Sequence, residues 1–561
     1  MHSFPGEAGR PMRRLALGLL VGLTAASPAA QPPASPIRFR DAAAAAGLDF
    51  HHENNPTPRK HLIETVPGGV AAFDYDGDGR IDVFFTNGAA IPSLEKEASK
   101  YWNRLYRNEG GLRFKDVTQA AGLAGTGYAM GAASGDFDND GRPDLFVAGV
   151  GRSTLYHNTG QGTFEDVTAR AGLKPLGWSV AAGFFDYDND GWLDLFVVNY
   201  VQWTPDLDRF CGDPLGKVRV YCHPKYFRGL PNALYRNRGD GTFEDVSERS
   251  GIARHVGKGM SVAFADYDKD GFLDAFVSND AVPNFLFHNR GDGSFEEAGL
   301  LAGVALPENG QAVSGMGVDF RDYDDDGWPD LHLTALARQT FPLFRNEGRG
   351  GFRDATVSSG LAPATLRRSG WSNALADFDN DGRKDLFVAG GHVNDEIERF
   401  EAAAYRLPNA LFRNLGGGRF EDVSAGAGPD FQRPRAHRGA AVADFDGDGR
   451  LDVVTSALGE PAELWVNESP GPNHWLVVRL RGTRSNRDGI GAVVRVAGQT
   501  NHMTTAVGYA SSSHAGVHFG LGGADKVDVE VAWPSGVVQR LAGMAADQVV
   551  PVEEPGPARR P

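Results

Sequence analysis

The pattern Asp-x-Asp-x-Asp-Gly-x-x-Asp occurs seven times in this chain, beginning at Asp74, Asp136, Asp186, Asp266, Asp322, Asp377 and Asp444. Each copy sets carboxylates at relative positions 1, 3, 5 and 9, with glycine at 6 and Phe or Tyr at 2. A flexible hard cation takes roughly six to eight oxygens, and this spacing curls a short loop so that its acids converge. Glycine supplies the sharp turn. The ion expected is calcium, up to seven per chain. Its ligands would be Asp74, Asp76, Asp78 and Asp82 in the first loop, and Asp136, Asp138, Asp140 and Asp144 in the second. The third and fourth would use Asp186, Asp188, Asp190 and Asp194, then Asp266, Asp268, Asp270 and Asp274. The fifth and sixth would use Asp322, Asp324, Asp326 and Asp330, then Asp377, Asp379, Asp381 and Asp385, and the seventh Asp444, Asp446, Asp448 and Asp452. Position 7, such as Arg80 or Trp192, would contribute only its carbonyl. Ordinary acidic surface turns would not repeat a ligand spacing.

The loops hold 28 of the 72 acidic residues, and seven divalent ions would bring the formal charge of −16 to about −2. The acidity is thus mostly a metal requirement, and it argues against nucleic acid as a partner. Arg13 and Arg14 precede an apolar run from Leu15 to Ala26, followed by small residues through Ala30. This reads as a cleaved signal peptide over residues 1–30, too short to persist as a membrane span. A secreted or periplasmic protein with no membrane span is expected. Cys211 and Cys222 are the two cysteines. In an oxidising compartment they are expected to clip their loop as a disulfide.

Successive loops are 50 to 80 residues apart, a repeat architecture. After each loop comes an apolar-aromatic pair and then Asn, ending at Asn108, Asn158, Asn237, Asn289, Asn346, Asn414 and Asn467. Six of these are followed by a Gly-rich turn and Phe-x-Asp or Phe-x-Glu. Four short β segments per unit, seven times over, predict an all-β fold: a seven-bladed β-propeller over residues 37–470. Five residues before each first Asp stand Gly69, Gly131, Ala181, Ser261, Gly317, Ser372 and Gly439; three before stand Ala71, Ala133, Gly183, Ala263, Asp319, Ala374 and Ala441. Small residues at period two suit inner strands crowded round an axis. Asp319 is either a buried, hydrogen-bonded residue or a polar group lining the channel. The last unit lacks its Phe-x-Asp strand, and Phe39-Arg40-Asp41 can supply it and close the ring. The metal loops then share one face. The long connections 87–101, 201–231 and 390–408 emerge on the other, where binding chemistry is expected.

The Asp-rich loops resemble the FG-GAP and VCBS-type repeats of integrin-alpha-like propellers. His474-Trp475-Leu476-Val477, the stretch from Gly482 to Gly491, His518-Phe519-Gly520-Leu521-Gly522 and Trp533-Pro534-Ser535-Gly536 look like an ASPIC/UnbV domain. Together they resemble the cartilage acidic protein 1 family. The resemblance implies an extracellular calcium-stabilised propeller and a small all-β C-terminal domain at 471–553; residues 554–561 read separately as a disordered tail. It implies no activity. Period-two runs at 475–480 and 527–533 independently suggest strands in that domain. Its segment from Arg484 to Asp488 reads as a structural turn, or as an anion or carbohydrate contact. Arg238-Gly239-Asp240 and Arg290-Gly291-Asp292 spell an integrin-binding tripeptide, but both fall in turns that demand glycine and polar residues.

Two functional readings follow. In the first, a secreted calcium-binding propeller holds an extracellular protein or polysaccharide ligand. In the second, a propeller enzyme acts on a glycan or small molecule through the long loops, with His392 and Asp395 as first suspects beside Arg367, Arg368 and Trp371. No zinc-protease helix motif, nucleophile elbow or phosphate loop is present to favour the second.

Overall fold

Each repeat unit becomes one antiparallel sheet, numbered here as blades 1 to 7 after its Asp-rich loop. The computed structural model describes residues 36–556 apart from 208, 214 and 216; the expected signal peptide and residues 557–561 lie outside the described residues. Blade 2 shows the pattern, with strands Tyr128–Gly135, Asp144–Val150, Thr154–Asn158 and Phe164–Asp166 in chain order from axis to rim. In blade 7 the outer strand is Phe39–Asp41, antiparallel to Glu463–Asn467 with Phe39 opposite Asn467. The expected closure by the N-terminal segment is therefore present.

The inner strands are Val70–Phe73, Tyr128–Gly135, Ser179–Phe185, Gly259–Ala265, Val318–Arg321, Gly370–Ala376 and His437–Ala443. Each packs on the next, and the last lies against the first. Two further seams run round this ring. The aromatic at loop position 2 meets the outer-strand Phe of the following blade, as Tyr75 meets Phe164 and Phe445 meets Phe114 across the ring junction. The same contact joins every other pair of neighbouring blades. Such pairs add about 1 kcal/mol each beyond their buried area.

The recurrent Asn forms the second seam. Asn237 Nδ2 donates to Leu193 O (2.9 Å) in its own blade and to Phe137 O (2.7 Å) in the preceding one, while its Oδ1 accepts the Gly239 N–H (2.9 Å). Asn108 of blade 1 reaches Phe445 O of blade 7 (2.9 Å), so the chain of clips closes on itself. The other five repeat the bond to the preceding blade. The sequence showed the Asn recurring but not what it holds. Replacing Asn237 by Ala orphans three backbone groups, each costing about 1–3 kcal/mol when buried. A fall in Tm of about 3–5 °C is expected by calorimetry, at about 1 °C per kcal/mol for a unit of this size.

The C-terminal domain has two sheets, one of Val517–Gly522, His474–Arg481 and Gln548–Glu553, the other of Gln499–His502, Val493–Val496, Lys526–Ala532 and Val538–Ala545. Leu476, Val478, Val494, Val529, Val531 and Trp533 are among its buried core. Glu554, assigned to the tail by sequence, is buried and accepts the N–H groups of Thr483, Arg484 and Ser485.

From this domain, residues 503–516 enter the axis of the ring as a plug. Ser512–His514 pairs in parallel with Val70–Phe73. Gly508 and Val318 exchange backbone hydrogen bonds, the Ala132 N–H donates to Ala510 O, and the Tyr509 N–H to Ser372 Oγ. Ser261 Oγ bonds Gly508 O, and Ser513 Oγ accepts the Val442 N–H (3.0 Å). A Cβ on Gly183 would lie 3.0 Å from Ala506 Cβ, so all seven inner strands line the plug. The small-residue series has its physical cause here: a Cβ on Gly69 would sit 2.3 Å from Ala510 O. At the plug's tip Tyr509 is fully buried, edge-on to Trp371, with its hydroxyl on Val66 O (2.7 Å).

Candidate metal centres

Backbone N–H groups pre-shape every Asp-rich loop. In blade 1 the carboxylate at position 1, Asp74, accepts from Asp78 N (3.1 Å) and Gly79 N (2.8 Å). Asp82 at position 9 accepts from Tyr75 N (3.1 Å) and from Asn108 N (2.7 Å), the clip residue. The same bonds recur at positions 1 and 9 in the other six blades. Metal loop and blade seam are thus one hydrogen-bonded unit.

Positions 1, 3 and 9 converge. Oxygens of Asp74, Asp76 and Asp82 lie within 4.8 Å of one another, as do those of Asp136, Asp138 and Asp144, and of Asp186, Asp188 and Asp194. In six loops position 5 meets arginine, and an arginine from the third strand also holds position 3, as Arg236 holds Asp188 (2.6 Å) and Arg345 holds Asp324 (2.6 Å). Asp190 and Asp326 pair with Arg236 (2.9 Å) and Arg345 (2.6 Å) of the third strand, while Asp78, Asp140, Asp381 and Asp448 pair with the arginine two residues on. His157 and His288 replace the third-strand arginine in blades 2 and 4, with Nδ1 3.3 Å from Asp144 and Asp274. These basic neighbours were visible in the sequence as part of the repeated motif, but their facing direction was not.

These partners do not offset burial at positions 1 and 9. Burial pushes the Asp82 carboxyl up to about 8, and those of Asp144, Asp186, Asp274 and Asp322 to about 7. The Oδ1 atoms of Asp188, Asp268, Asp324 and Asp379, all at position 3, are buried without a hydrogen-bond partner. Buried acceptors are normally satisfied, so four equivalent orphans at one loop position fit an oxygen-seeking cation. A pH dependence follows with a definite sign. A carboxyl whose folded pKa is raised stabilises the fold below its unfolded value near 4 and loses that contribution as pH rises towards 7–8. Metal-stripped protein should therefore melt lower at pH 8 than at pH 5, and bound calcium should abolish the fall. A melting series on resin-stripped protein with and without calcium measures it.

The C-terminal domain covers this face. Arg479 Nη2 donates to Gly79 O (3.0 Å), the Arg487 N–H to Asn139 Oδ1 (2.8 Å), and the Gly522 N–H to Asn380 O (2.9 Å). Asp488 accepts the N–H of Asp136 (2.8 Å), so the 484–488 segment is a turn docked on the blade 2 loop. A cavity of about 220 Å³ between the two modules is lined by Asp319, Arg321, Lys384, Arg479, His502 and His518. Asp319 is buried and accepts the Leu375 N–H (2.8 Å), which fits the hydrogen-bonded alternative.

On the opposite face the five suspect side chains do not form one site. His392 is buried, its Nδ1 accepting the Asn394 N–H (3.0 Å). Asp395 pairs with Lys60. Arg368 is tied to Asp422 (2.7 Å), and with Arg367 it borders an outer crevice between blades 5 and 6. Trp371 lies on the axis beneath the fully buried Arg438, whose guanidinium sits 3.9 Å over the indole. The disulfide Cys211–Cys222 is formed. Both Arg-Gly-Asp segments are turns in which the aspartate caps the second residue after it, Thr242 or Ser294. Among the described residues no helix is long and apolar enough to cross a membrane.

Comparison with known proteins agrees with this architecture. The FG-GAP-like repeat model matches residues 74–147, 136–197, 226–277, 322–388 and 402–455, together more than half of the chain, and the ASPIC and UnbV model matches 482–559. Cartilage acidic protein 1 of Homo sapiens is 30% identical over 323 residues, covering 54% of this chain and 45% of that protein. The Xenopus tropicalis protein of the same name is 28% identical over 319 residues, with 54% and 45% covered. The chain thus spans about half the length of these relatives. Among solved structures, an Agrocybe aegerita lectin described as recognising non-reducing terminal N-acetylglucosamine is 15% identical, with TM-score 0.38, and is covered over 71% of this chain and 87% of its own. A Bacillus licheniformis rhamnogalacturonan lyase is 13% identical, with TM-score 0.33 and 71% of each chain covered. On its repeats and its C-terminal module, the chain belongs to the FG-GAP-like repeat family and carries an ASPIC and UnbV domain.

Proposed function

We propose that this protein is an exported calcium-binding propeller that holds an extracellular protein or polysaccharide partner on the face away from its metal loops. The observation that carries the reading is the repeated convergence of buried aspartates with an orphaned oxygen at position 3. The aspartate donors are all oxygen, which suits a hard cation such as calcium rather than a soft one, and a histidine nitrogen joins the clusters of blades 2 and 4. Aspartates at positions 1, 3 and 9 would hold the ion, joined by position 5 once it leaves its arginine. The ion's role is scaffolding: it would neutralise carboxylates that otherwise repel at the turn between the two inner strands. The apparent signal peptide and the disulfide support export. The C-terminal domain occupies the loop face, so the long connections of the other face are left for a partner. Calorimetric titration of stripped protein with calcium should show several equivalents taken up, with magnesium binding more weakly. No calcium uptake would overturn the reading.

A further inference from the structure

The 201–231 insertion of blade 3 differs in charge from the rest of the chain. It holds five bases, Arg209, Lys217, Arg219, Lys225 and Arg228, against three acids, Asp206, Asp208 and Asp213, in a chain where acids outnumber bases 72 to 56. Arg209, Lys217, Lys225 and Arg228 are exposed, and so are the rings of Phe210 and Tyr226. Arg209 stacks over Tyr226 at 4.2 Å and Arg219 over Phe210 at 5.6 Å. The cations lie over the ring faces, with Lys225 a second one over Tyr226 (5.2 Å), while each ring stays about half exposed.

The insertion is held in place. The disulfide closes it, and Gly212–Asp213 pairs with Val218–Arg219 inside the closed loop. Tyr221 donates its hydroxyl to the buried Glu64 (3.0 Å) beside the start of the blade 1 inner strand. Trp203 packs edge-on against Trp178 and His61. Lys258 of blade 4 donates to Pro224 O (2.9 Å) and brings another cation to the margin. A surface ordered before it meets its ligand loses less entropy on binding.

We propose that this insertion binds an acidic polysaccharide, its guanidinium and ammonium groups pairing with carboxylate or sulfate and its exposed rings packing on sugar faces. The proposal rests on the function proposed above and names the class of partner. Guanidinium groups match carboxylate and sulfate oxygens as paired donors. A spaced set of cations beside flat apolar faces suits a chain whose charges are separated by sugar rings. It suits nucleic acid less, because that polymer carries about one charge per 1.7 Å and would meet the acidic remainder of the protein. The disulfide also places the surface in an oxidising, extracytoplasmic compartment.

The test uses the full chain with calcium on immobilised heparin, which is sulfated, and hyaluronate, which carries carboxylates alone; single-stranded DNA and anionic phosphatidylglycerol vesicles are competitors. The expected result is retention that salt reverses. The combined Lys217→Glu, Lys225→Glu and Arg228→Glu variant should bind about tenfold or more weakly, with its melting temperature unchanged. A second variant, Phe210→Ala with Tyr226→Ala, should weaken binding several-fold while keeping the charge. Absence of retention, equal retention by the charge-reversed variant, or stronger competition by DNA or vesicles than by free polysaccharide would overturn the proposal. Calcium protection against melting is read separately. Failed retention with that protection intact overturns this proposal and leaves the metal reading standing.

Discussion

Stripping calcium from the protein should lower its melting temperature by about 10 °C relative to 1 mM calcium. A ligand that binds only the folded state stabilises it by RT ln(1 + [L]/Kd). With Kd near 10⁻⁴ M, in the range of extracellular modules, 1 mM calcium contributes about 1.4 kcal/mol per site. Seven sites in one cooperative ring give about 10 kcal/mol, and about 500 residues correspond to about 1 kcal/mol per degree at the midpoint. Each loop is tied through its position 9 carboxylate to the clip Asn of its own blade, and through that Asn to the preceding blade. Loss of the ions should therefore loosen the seams and not only the loop tips. An unchanged melt after exhaustive stripping would show that arginine pairs and hydrogen bonds suffice.

Ending the chain at residue 470 should damage the propeller more than stripping its ions. The C-terminal domain reads from sequence as an appendage, but its 503–516 segment is part of the ring's core. Removal would leave Val70, Ala132, Ser134, Val318 and Val442 with backbone N–H groups facing an open axis. Position −5 glycines and serines would line a bore with no packing partner. Insoluble expression, or a Tm lower by more than about 10 °C with strong dye binding to exposed apolar surface, is expected. In the full chain, Tyr509→Ala should cost about 3–5 kcal/mol, because it empties the space beside Trp371 and orphans Val66 O. A truncated propeller that melts like the full chain would contradict the core role of the plug.

The ring's features were unequally visible in the amino-acid sequence. Features whose cause lies within one repeat could be read directly: the aspartate spacing, the four-strand unit, and Phe39-Arg40-Asp41 as the missing strand. Features whose cause lies in another part of the chain could be seen without being explained. The small residues at Gly69 and Gly131 announce a close approach, but the approaching Ala510 is hundreds of residues away in sequence. The recurrent Asn and the aromatic at position 2 both act on neighbouring blades, so their partners appear only once the ring is built. The suspect side chains around His392 diverge for a related reason. Neighbours along a loop, such as Arg368 and Trp371, point to opposite sides of a strand entry, one to Asp422 and the other to the axis.

On the proposed function, seven cations brace the seven hairpins of a closed ring. Anomalous diffraction from crystals grown with calcium would locate them. Seven peaks are predicted, each among the carboxylates at positions 1, 3 and 9 of one loop, with the position 5 aspartate drawn away from its arginine in the six loops that have one. A map without peaks at these loops, or with ions bound elsewhere, would contradict it.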